Sequence, residues 1–244
     1  MAYTNIDDPS AYFQVALHSS ANAATVTNDG NSDLQPDLIW SKARGAGHNH
    51  GLYDSSRGVT KFLSSNATST ETTASSGFDL TSFNTDGFST GNNQYNTICG
   101  GTTYVAWQWK ANGGTTSTNT DGDINSTVQV NADAGFSIVT DSPTNNTARS
   151  IGHGLGVAPQ VVIRRARTRV ENWRVFHSAA GSTGAFILDN ASAYNSSTVL
   201  FTGVTSTTFG VGTDFSVNGN YSYVSYCFAE KQGYSKFGTY VGKG

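Results

Sequence analysis

Alternation of large apolar residues with small or polar ones is the clearest pattern in this chain, and it occurs in two matching places. The first stretch, Tyr104–Trp109, has the sequence Tyr-Val-Ala-Trp-Gln-Trp, and the second, Tyr223–Phe228, has Tyr-Val-Ser-Tyr-Cys-Phe. A period of two residues with many aromatic side chains predicts β-strands that bury one face. We expect the larger side chains to form that face. They are Val105, Trp107 and Trp109 in the first strand and Val224, Tyr226 and Phe228 in the second.

These two strands close two copies of a longer internal repeat. Phe13-Gln-Val-Ala-Leu matches Phe136-Ser-Ile-Val-Thr, and Pro36-Asp-Leu-Ile-Trp matches Pro159-Gln-Val-Val-Ile, with the same offset of 123 residues. An offset that is maintained over separate segments indicates a duplicated structural unit. Each copy contains roughly six short apolar segments with polar turns between them, which is typical of a β-sandwich. The sequence therefore predicts an all-β fold of two tandem, internally duplicated antiparallel β-sandwich units.

The repeat sets the predicted domain boundaries. They are an N-terminal arm over 1–11, a first β-sandwich over 12–111, a linker over 112–134, a second β-sandwich over 135–232 and a C-terminal strand or tail over 233–244. The linker is predicted from its content of Gly, Ser, Thr and Asn. One continuous sandwich remains the alternative to two.

The C-terminal tail resembles the opening strand of a third copy. Its sequence Gly-Tyr-Ser-Lys-Phe-Gly-Thr-Tyr is similar to Gly-Phe-Ser-Ile-Val-Thr at the start of the second copy. A strand without a partner exposes unpaired backbone groups, so we expect this segment to pair with its own domain, the other domain or a neighbouring chain. Tyr234, Phe237 and Tyr240 are the predicted strand-pairing and assembly residues.

Composition supports the β prediction and excludes several classes of protein. Only 13% of the residues are charged, the net charge is −3, and 27 residues are glycine. This balance offers no broad basic surface for nucleic acid or anionic membranes. No signal peptide or apolar membrane span is recognisable, so we expect synthesis in a cytoplasm without membrane insertion. Cys99 and Cys227 form no disulfide framework, and a bridge between them stays open.

One cluster of arginines with a neighbouring tryptophan is the candidate binding site. It consists of Arg164, Arg165, Arg167, Arg169, Trp173 and Arg174. Arginine can hold carboxylates and phosphates through two parallel hydrogen bonds, and an aromatic ring can stack on a sugar. An acidic glycan or a subunit interface is therefore predicted here, with a solvated strand end as the third interpretation.

Two other groups of residues are candidates for a metal site or for catalysis. His48 and His50 are two residues apart, but no Cys or acidic cluster nearby completes a metal shell, so a polar loop is favoured over a ligand site. Glycan hydrolysis needs paired carboxylates, and Glu71, Glu171 and Glu230 lie far apart in the sequence. We predict no enzymatic activity, no metal site and no cofactor.

Several strings along the chain resemble a domain that is repeated in virion proteins of marine tailed bacteriophages of the cyanophage and pelagiphage type. They are PDLIWSKAR, HGLYDSSRG, TDGFSTGNN, TYVAWQWKANGG, IGHGLGVAPQVVIRRAR and YVSYCFAEKQGYSKFGTYVGKG. The resemblance extends from about Phe13 to Gly244 and implies lectin-like or jelly-roll-like β-sandwiches. Such proteins are commonly described as tail-fibre or virion structural proteins. The resemblance carries over no catalytic or binding residues.

The function implied by this resemblance is a bacteriophage virion structural protein, in the first place a short tail-fibre or receptor-binding component for host attachment. A capsid decoration protein or head fibre is the alternative, and a glycan-degrading enzyme is a remote one. The expected partners are other virion proteins, further copies of the chain and a host surface glycan, with a trimer as the expectation for fibre-like proteins. The expected location is the virion.

Overall fold

The computed structural model describes residues 4–240, and the chain is all-β over this range. Every pair of named strands is antiparallel, which confirms the predicted fold class. The described residues contain no α-helix, and their helical pieces are short 3-10 turns at Pro9–Ala11 and Ser178–Ala180. They also contain no helix long and apolar enough to cross a membrane. Residues 1–3 of the predicted arm and 241–244 of the predicted tail lie outside the described range.

The chain divides into two compact units. The N-terminal unit consists of residues 8–116 together with the loop 167–172, and the C-terminal unit consists of residues 117–166 and 173–240 together with 4–7. The loop 167–172 belongs to the second copy in sequence but clusters with the first unit. The loop is assigned to the N-terminal unit because its residues contact that unit, although they lie within the second copy in the sequence.

In the N-terminal unit, nine strands form two sheets. One sheet has the order β1-β9-β3-β4-β5-β6, and the other has the order β2-β8-β7. Side chains from both sheets enter one buried apolar cluster, so the unit is a sandwich. The strands are β1 (Phe13–His18), β2 (Ala24–Val26), β3 (Leu38–Ala43), β4 (Gly51–Asp54), β5 (Lys61–Ser64), β6 (Thr72–Thr73), β7 (Leu80–Phe83), β8 (Phe88–Thr90) and β9 (Tyr104–Trp109).

In the C-terminal unit, ten strands form two sheets of the same kind. The larger has the order β10-β11-β12-β19-β14-β15-β16, and the smaller has the order β13-β18-β17. A second buried cluster lies between them. The strands are β10 (Ser117–Asn119), β11 (Ser126–Asn131), β12 (Phe136–Asp141), β13 (Arg149–Gly152), β14 (Val161–Ala166), β15 (Arg174–His177), β16 (Phe186–Ile187), β17 (Phe201–Val204), β18 (Thr208–Val211) and β19 (Tyr223–Phe228).

Strand order and register confirm the duplication. The order β1-β9-β3-β4-β5 is repeated as β12-β19-β14-β15-β16. Phe13 lies opposite Trp109 in the first unit, as Phe136 lies opposite Phe228 in the second. A shared register matters because a slip of one residue would exchange the two faces of a strand.

The three-stranded sheets of the two units share a β-bulge at equivalent places. β7 and β8 change register between Leu80 and Ser82, and β17 and β18 change register between Phe201 and Gly203. In each unit the residue before the shift, Leu80 or Phe201, is fully buried. A β-bulge of this kind bends a strand and increases its local twist, so the same bend was retained in both copies.

The linker predicted over 112–134 is wrong for most of its length. β10 and β11 lie within it and extend the larger sheet of the C-terminal unit beyond β12. The prediction failed because Ser, Thr and Asn are compatible with an edge strand that has one solvated face. Val128 and Val130, on the inner strand of this hairpin, pack against the core of the unit.

The predicted inward face of β9 is also wrong. The buried side chains of this strand are Tyr104, Ala106 and Gln108, whereas Val105, Trp107 and Trp109 are half-buried on the opposite face. The large rings cover one another there, Trp40 against Trp107 and Phe13 against Trp109. In β19 both faces are buried, and Cys227 rather than Tyr226 or Phe228 enters the core cluster. Side-chain size therefore did not identify the inner face.

The tail forms no strand within residues 233–240. It folds back by a single bridge between Lys231 and Ser235, and the ring of Phe237 lies 6.2 Å from that of Phe228. Tyr234 is half-buried, whereas Tyr240 is 93% exposed. Glycine and lysine next to the aromatic residues make this segment a weak strand former. The prediction of pairing inside the chain is wrong apart from that bridge, and pairing with a neighbouring chain stays a prediction.

Candidate functional site

The predicted arginine cluster is not a surface patch. Arg164, Arg165 and Trp173 are all fully buried, so the prediction that they contact a glycan or another subunit is wrong. The guanidinium carbon of Arg165 lies 5.8 Å from the centre of the Trp173 ring, which in turn stacks on Tyr226. Their burial was not visible in the sequence, because adjacent arginines at a strand end are more often solvated.

Arg164 forms a complete internal network. Its two terminal nitrogens donate to the two carboxylate oxygens of Asp141, each at 2.7 Å, and its Nε donates to the carbonyl oxygen of Val217. A further bond of 2.8 Å reaches the hydroxyl of Ser225, and the ring of Tyr223 lies 4.3 Å away. A buried charge needs such partners, since an unpaired one is costly. The side chain of Arg164 therefore stabilises the fold and is not exposed to a ligand.

The other three arginines separate from one another. Arg167 donates to both carboxylate oxygens of Glu71, at 2.8 and 2.9 Å, within the N-terminal unit. Arg169 donates to Glu171, and Arg174 donates to the hydroxyl of Ser216. Since each guanidinium faces a different partner, the structure does not bring the predicted site residues together.

The candidate residues for metal binding and catalysis are also dispersed. Within residues 4–240, no group of three or more His, Cys, Asp or Glu side chains is arranged to hold a metal ion, and this includes His48 and His50. Glu71 is occupied by Arg57 and Arg167. Cys99 and Cys227 are free, buried thiols, and burial raises the pKa of each to about 12. Both are therefore protonated at neutral pH.

Two adjoining depressions at the end of β1 form a groove that the sequence did not indicate, and we call it the Arg44 groove. One depression of about 220 Å³ lies between the ends of β1 and β3 and the start of β9, and one of about 370 Å³ lies between β1 and β2. The lining residues are Leu17, His18, Ser19, Arg44, Thr103 and Tyr104 in the smaller depression and Leu17–Ser20 with Ala24–Thr27 in the larger.

His18 gives the groove a rigid, uncharged wall. Its ring stacks on Tyr104 with centroids 5.4 Å apart and meets Phe88 edge-on at 5.5 Å. Its Nδ1 lies 3.1 Å from the hydroxyl of Ser20. Burial lowers the pKa of His18 to about 4, and burial also raises the pKa of the Tyr104 hydroxyl to about 12. Both rings are therefore neutral at pH 7.

Arg44 supplies the charge of the groove. It directly follows β3, and its backbone N–H donates to the carbonyl oxygen of Thr103 at 2.7 Å, which fixes the position of its Cα. The side chain is exposed, and its guanidinium has no hydrogen-bond or ion-pair partner within residues 4–240. A guanidinium in this state can bind a carboxylate or phosphate through two hydrogen bonds.

In the second copy of the repeat, the residues equivalent to those of the groove are engaged in bonds within the chain. Arg167, which follows β14 as Arg44 follows β3, is paired with Glu71. The hydroxyls of Ser142 and Ser222, at the positions of Ser19 and Thr103, lie 3.0 Å apart. The two copies have thus diverged at this end of the sandwich. The sequence alone did not show this, because both copies carry the same Ala-Arg pair here.

Comparison with known proteins gives a family but no described activity. No curated protein and no solved structure matches the chain. A family model described as a domain of unknown function, DUF7483, matches residues 8–244 and so spans both sandwich units. The duplicated arrangement is therefore contained within one family domain, and the chain belongs to the DUF7483 family.

Proposed function

We propose that this protein is a non-enzymatic virion structural protein of a tailed bacteriophage, a short tail-fibre or receptor-binding component that binds an acidic host surface glycan in the Arg44 groove. The virion is its proposed location, and other virion proteins are its proposed partners. The phage part of this proposal rests on the sequence resemblance. The binding part rests on the groove.

The single observation that carries the binding proposal is that the exposed guanidinium of Arg44, which has no partner among the described residues, lies beside a polar groove with the neutral ring of His18 as its wall. Carboxylate and phosphate groups of surface glycans match this cation. The hydroxyls of Ser19 and Thr103, which line the same depression as Arg44, offer hydrogen bonds to sugar hydroxyls. Arg164 and Arg165 of the predicted arginine cluster are fully buried and offer no such contact to a glycan.

Binding is tested with purified protein and oligosaccharides of host lipopolysaccharide in acidic and neutral forms. We expect the acidic forms to bind and Arg44→Ala to weaken their binding by about tenfold or more, which is the loss of one charge-assisted pair. Lys61→Ala removes one positive charge from the same unit away from the groove and should leave the affinity unchanged. Equal binding by the wild type and Arg44→Ala would refute the groove as the glycan site.

The place of the protein on the particle needs a separate experiment. Antibody labelling of intact phage particles should mark the tail, and saturating purified protein should inhibit adsorption of the phage to its host. Label confined to the capsid would favour the decoration protein and overturn the attachment role. Absence of the protein from purified particles would overturn the virion proposal itself.

A further inference from the structure

β1 is a long free edge of the larger sheet in the N-terminal unit. Within residues 4–240, it pairs with β9 on one side and with no strand on the other. Within the described residues, no backbone hydrogen bond from outside the sheet reaches Phe13–His18. Proteins commonly protect such edges by short strands, lysine, proline or bulges. β1 has six residues, Phe-Gln-Val-Ala-Leu-His, and none of these protections.

The backbone groups on the free side belong to alternate residues. On the β9 side, the N–H of Lys110 donates to the carbonyl oxygen of Tyr12 at 3.0 Å, which makes these two a hydrogen-bonded pair. Since hydrogen-bonded and non-hydrogen-bonded pairs alternate along an antiparallel ladder, Phe13, Val15 and Leu17 direct their N–H and C=O groups to the free edge.

The same three residues place their side chains on the outer face of the sheet. Val15 is 42% exposed and Leu17 is 66% exposed, whereas Gln14 and Ala16 between them are buried. Phe13 is half-buried against Trp109. Two of the three residues whose backbone groups face the free edge, Val15 and Leu17, therefore also have exposed apolar side chains.

The C-terminal unit shows that a strand fits on this edge. β12, the counterpart of β1, carries β11 on the corresponding side in an antiparallel ladder from Phe136 to Thr140. In the N-terminal unit the preceding chain forms the 3-10 turn Pro9–Ala11 instead of a strand. The chain thus fills the edge in one copy and leaves it open in the other.

We propose that β1 pairs antiparallel with β1 of a second copy of this chain, with Val15 opposite Val15 on a two-fold axis. Phe13 then lies opposite Leu17 of the second copy, and each of these residues exchanges its free backbone hydrogen bonds. The contact is isologous, because the same strand serves on both sides. It joins the two larger sheets into one.

Charge and side-chain placement are consistent with this occupant. β1 carries no charged side chain, since burial keeps His18 neutral, so the pairing sets no like charges against each other. The register also places apolar side chains opposite apolar ones, Val15 opposite Val15 and Phe13 opposite Leu17, which favours pairing. The tail fits the edge less well, because the N–H of Phe237 already donates to Glu230 and its ring packs on Phe228.

The first test measures molar mass by sedimentation equilibrium over a range of concentrations. We expect the wild type to form a dimer and Val15→Lys to shift to the monomer, because two ammonium groups would face each other on the axis. Val157→Lys is the matched control, since Val157 is 44% exposed in the other unit, and it should remain a dimer. Circular dichroism confirms that each variant is folded. A wild type that is monomeric throughout, or trimeric, overturns the proposal.

The second test uses Val15→Cys. Opposed residues of a hydrogen-bonded antiparallel pair have Cα atoms about 5.5 Å apart, a separation that a disulfide can span. Mild oxidation should therefore link two chains in Val15→Cys and not in Val157→Cys, while the native thiols are buried. A dimer that survives Val15→Lys but is lost on removing residues 234–240 would assign the contact to the tail and overturn the proposal. Arg44→Ala should stay dimeric, which separates this result from the glycan test.

Discussion

Arg164 and Asp141 form a bidentate ion pair inside the C-terminal unit, where the counterpart positions of the N-terminal unit hold Ser41 and His18. The register establishes this equivalence, since His18 lies opposite Tyr104 as Asp141 lies opposite Tyr223. In the N-terminal unit the neutral ring of His18 stacks on Tyr104. In the C-terminal unit the guanidinium of Arg164, which is paired with Asp141, lies over the ring of Tyr223. An aromatic stack and a buried ion pair thus occupy equivalent positions in the two copies of the fold.

Removing one partner of this pair should be strongly destabilising. Asp141→Asn leaves the guanidinium of Arg164 buried without its counter-charge, and we expect a loss of about 3–5 kcal/mol in the free energy of unfolding. Chemical denaturation followed by tryptophan fluorescence measures it. Arg169→Ala is the control, because Arg169 is 37% exposed and should contribute less than about 1 kcal/mol. Equal effects of both variants would contradict a structural role for the pair.

Glu71 should hold the loop 167–172 in place. Its own N–H donates to the carbonyl oxygen of Arg167, and its carboxylate binds Arg167 and Arg57. We expect Glu71→Gln to accelerate hydrogen exchange in this loop several-fold at pH 7. Glu171→Gln is the matched control, because its partner Arg169 is more exposed. Unchanged exchange in Glu71→Gln would show that backbone bonds suffice.

The contribution of Glu71 should also depend on pH. Burial raises the pKa of this carboxyl, but its bonds to Arg167 and Arg57 outweigh burial and hold the pKa below its ordinary value. The stabilisation is therefore complete above the unfolded pKa of about 4.3 and is lost as the pH falls through the lower folded value. Loop exchange, corrected for its intrinsic rate, should rise in the wild type on acidification and change little in Glu71→Gln.

Asp79 should destabilise the folded N-terminal unit at neutral pH. It is fully buried, its Oδ2 has no hydrogen-bond partner within the described residues, and burial raises its pKa. The unfolded chain therefore releases this proton at a lower pH than the folded chain, so the contribution becomes unfavourable as the pH rises above about 4. Asp79→Asn keeps the shape and tolerates the φ of 48°. Its melting temperature should exceed that of the wild type at pH 7, and the difference should shrink towards pH 4.

Gly87 should be irreplaceable in the turn before β8. Its φ is 85°, and a Cβ built there would lie 2.0 Å from the carbonyl oxygen of Val26. We expect Gly87→Ala to cost about 2 kcal/mol or more, from the strained conformation and the clash together. Gly58→Ala is the control, since φ is 99° there but nothing lies within 4 Å of the added atom. Thermal unfolding compares them, and a loss in Gly58→Ala as large as that in Gly87→Ala would exclude the clash.

Local pattern was sufficient for the elements that repeat. The closing strands at Tyr104 and Tyr223 and the repeated apolar segments at Phe13, Leu38 and their counterparts were predicted, because alternation and turn residues act over a few neighbours. The composition of β10 and β11 predicts a linker, because a solvated edge strand and a polar linker have the same composition. The inner face of β9 was misassigned, since alternation defines two faces but not which one a second sheet covers.

The sequence did not predict which arginine forms the candidate binding site. Arg164 lies within β14 and Arg44 directly follows β3, the equivalent strand, yet the first is fully buried against Asp141 and the second is exposed and has no partner among residues 4–240. What distinguishes them is the surrounding chain, namely Val217 and Ser225 around the first and the open end of β1 beside the second.

The sequence by itself determined that this protein is a duplicated all-β chain, because a two-residue period and an offset of 123 residues are properties of the chain read in order. Only the tertiary structure decided which faces are inside, which arginines are paired, and which edge is left open. Those outcomes depend on contacts between residues far apart in the sequence, where burial decides whether a charge must be paired and whether a strand has a neighbour.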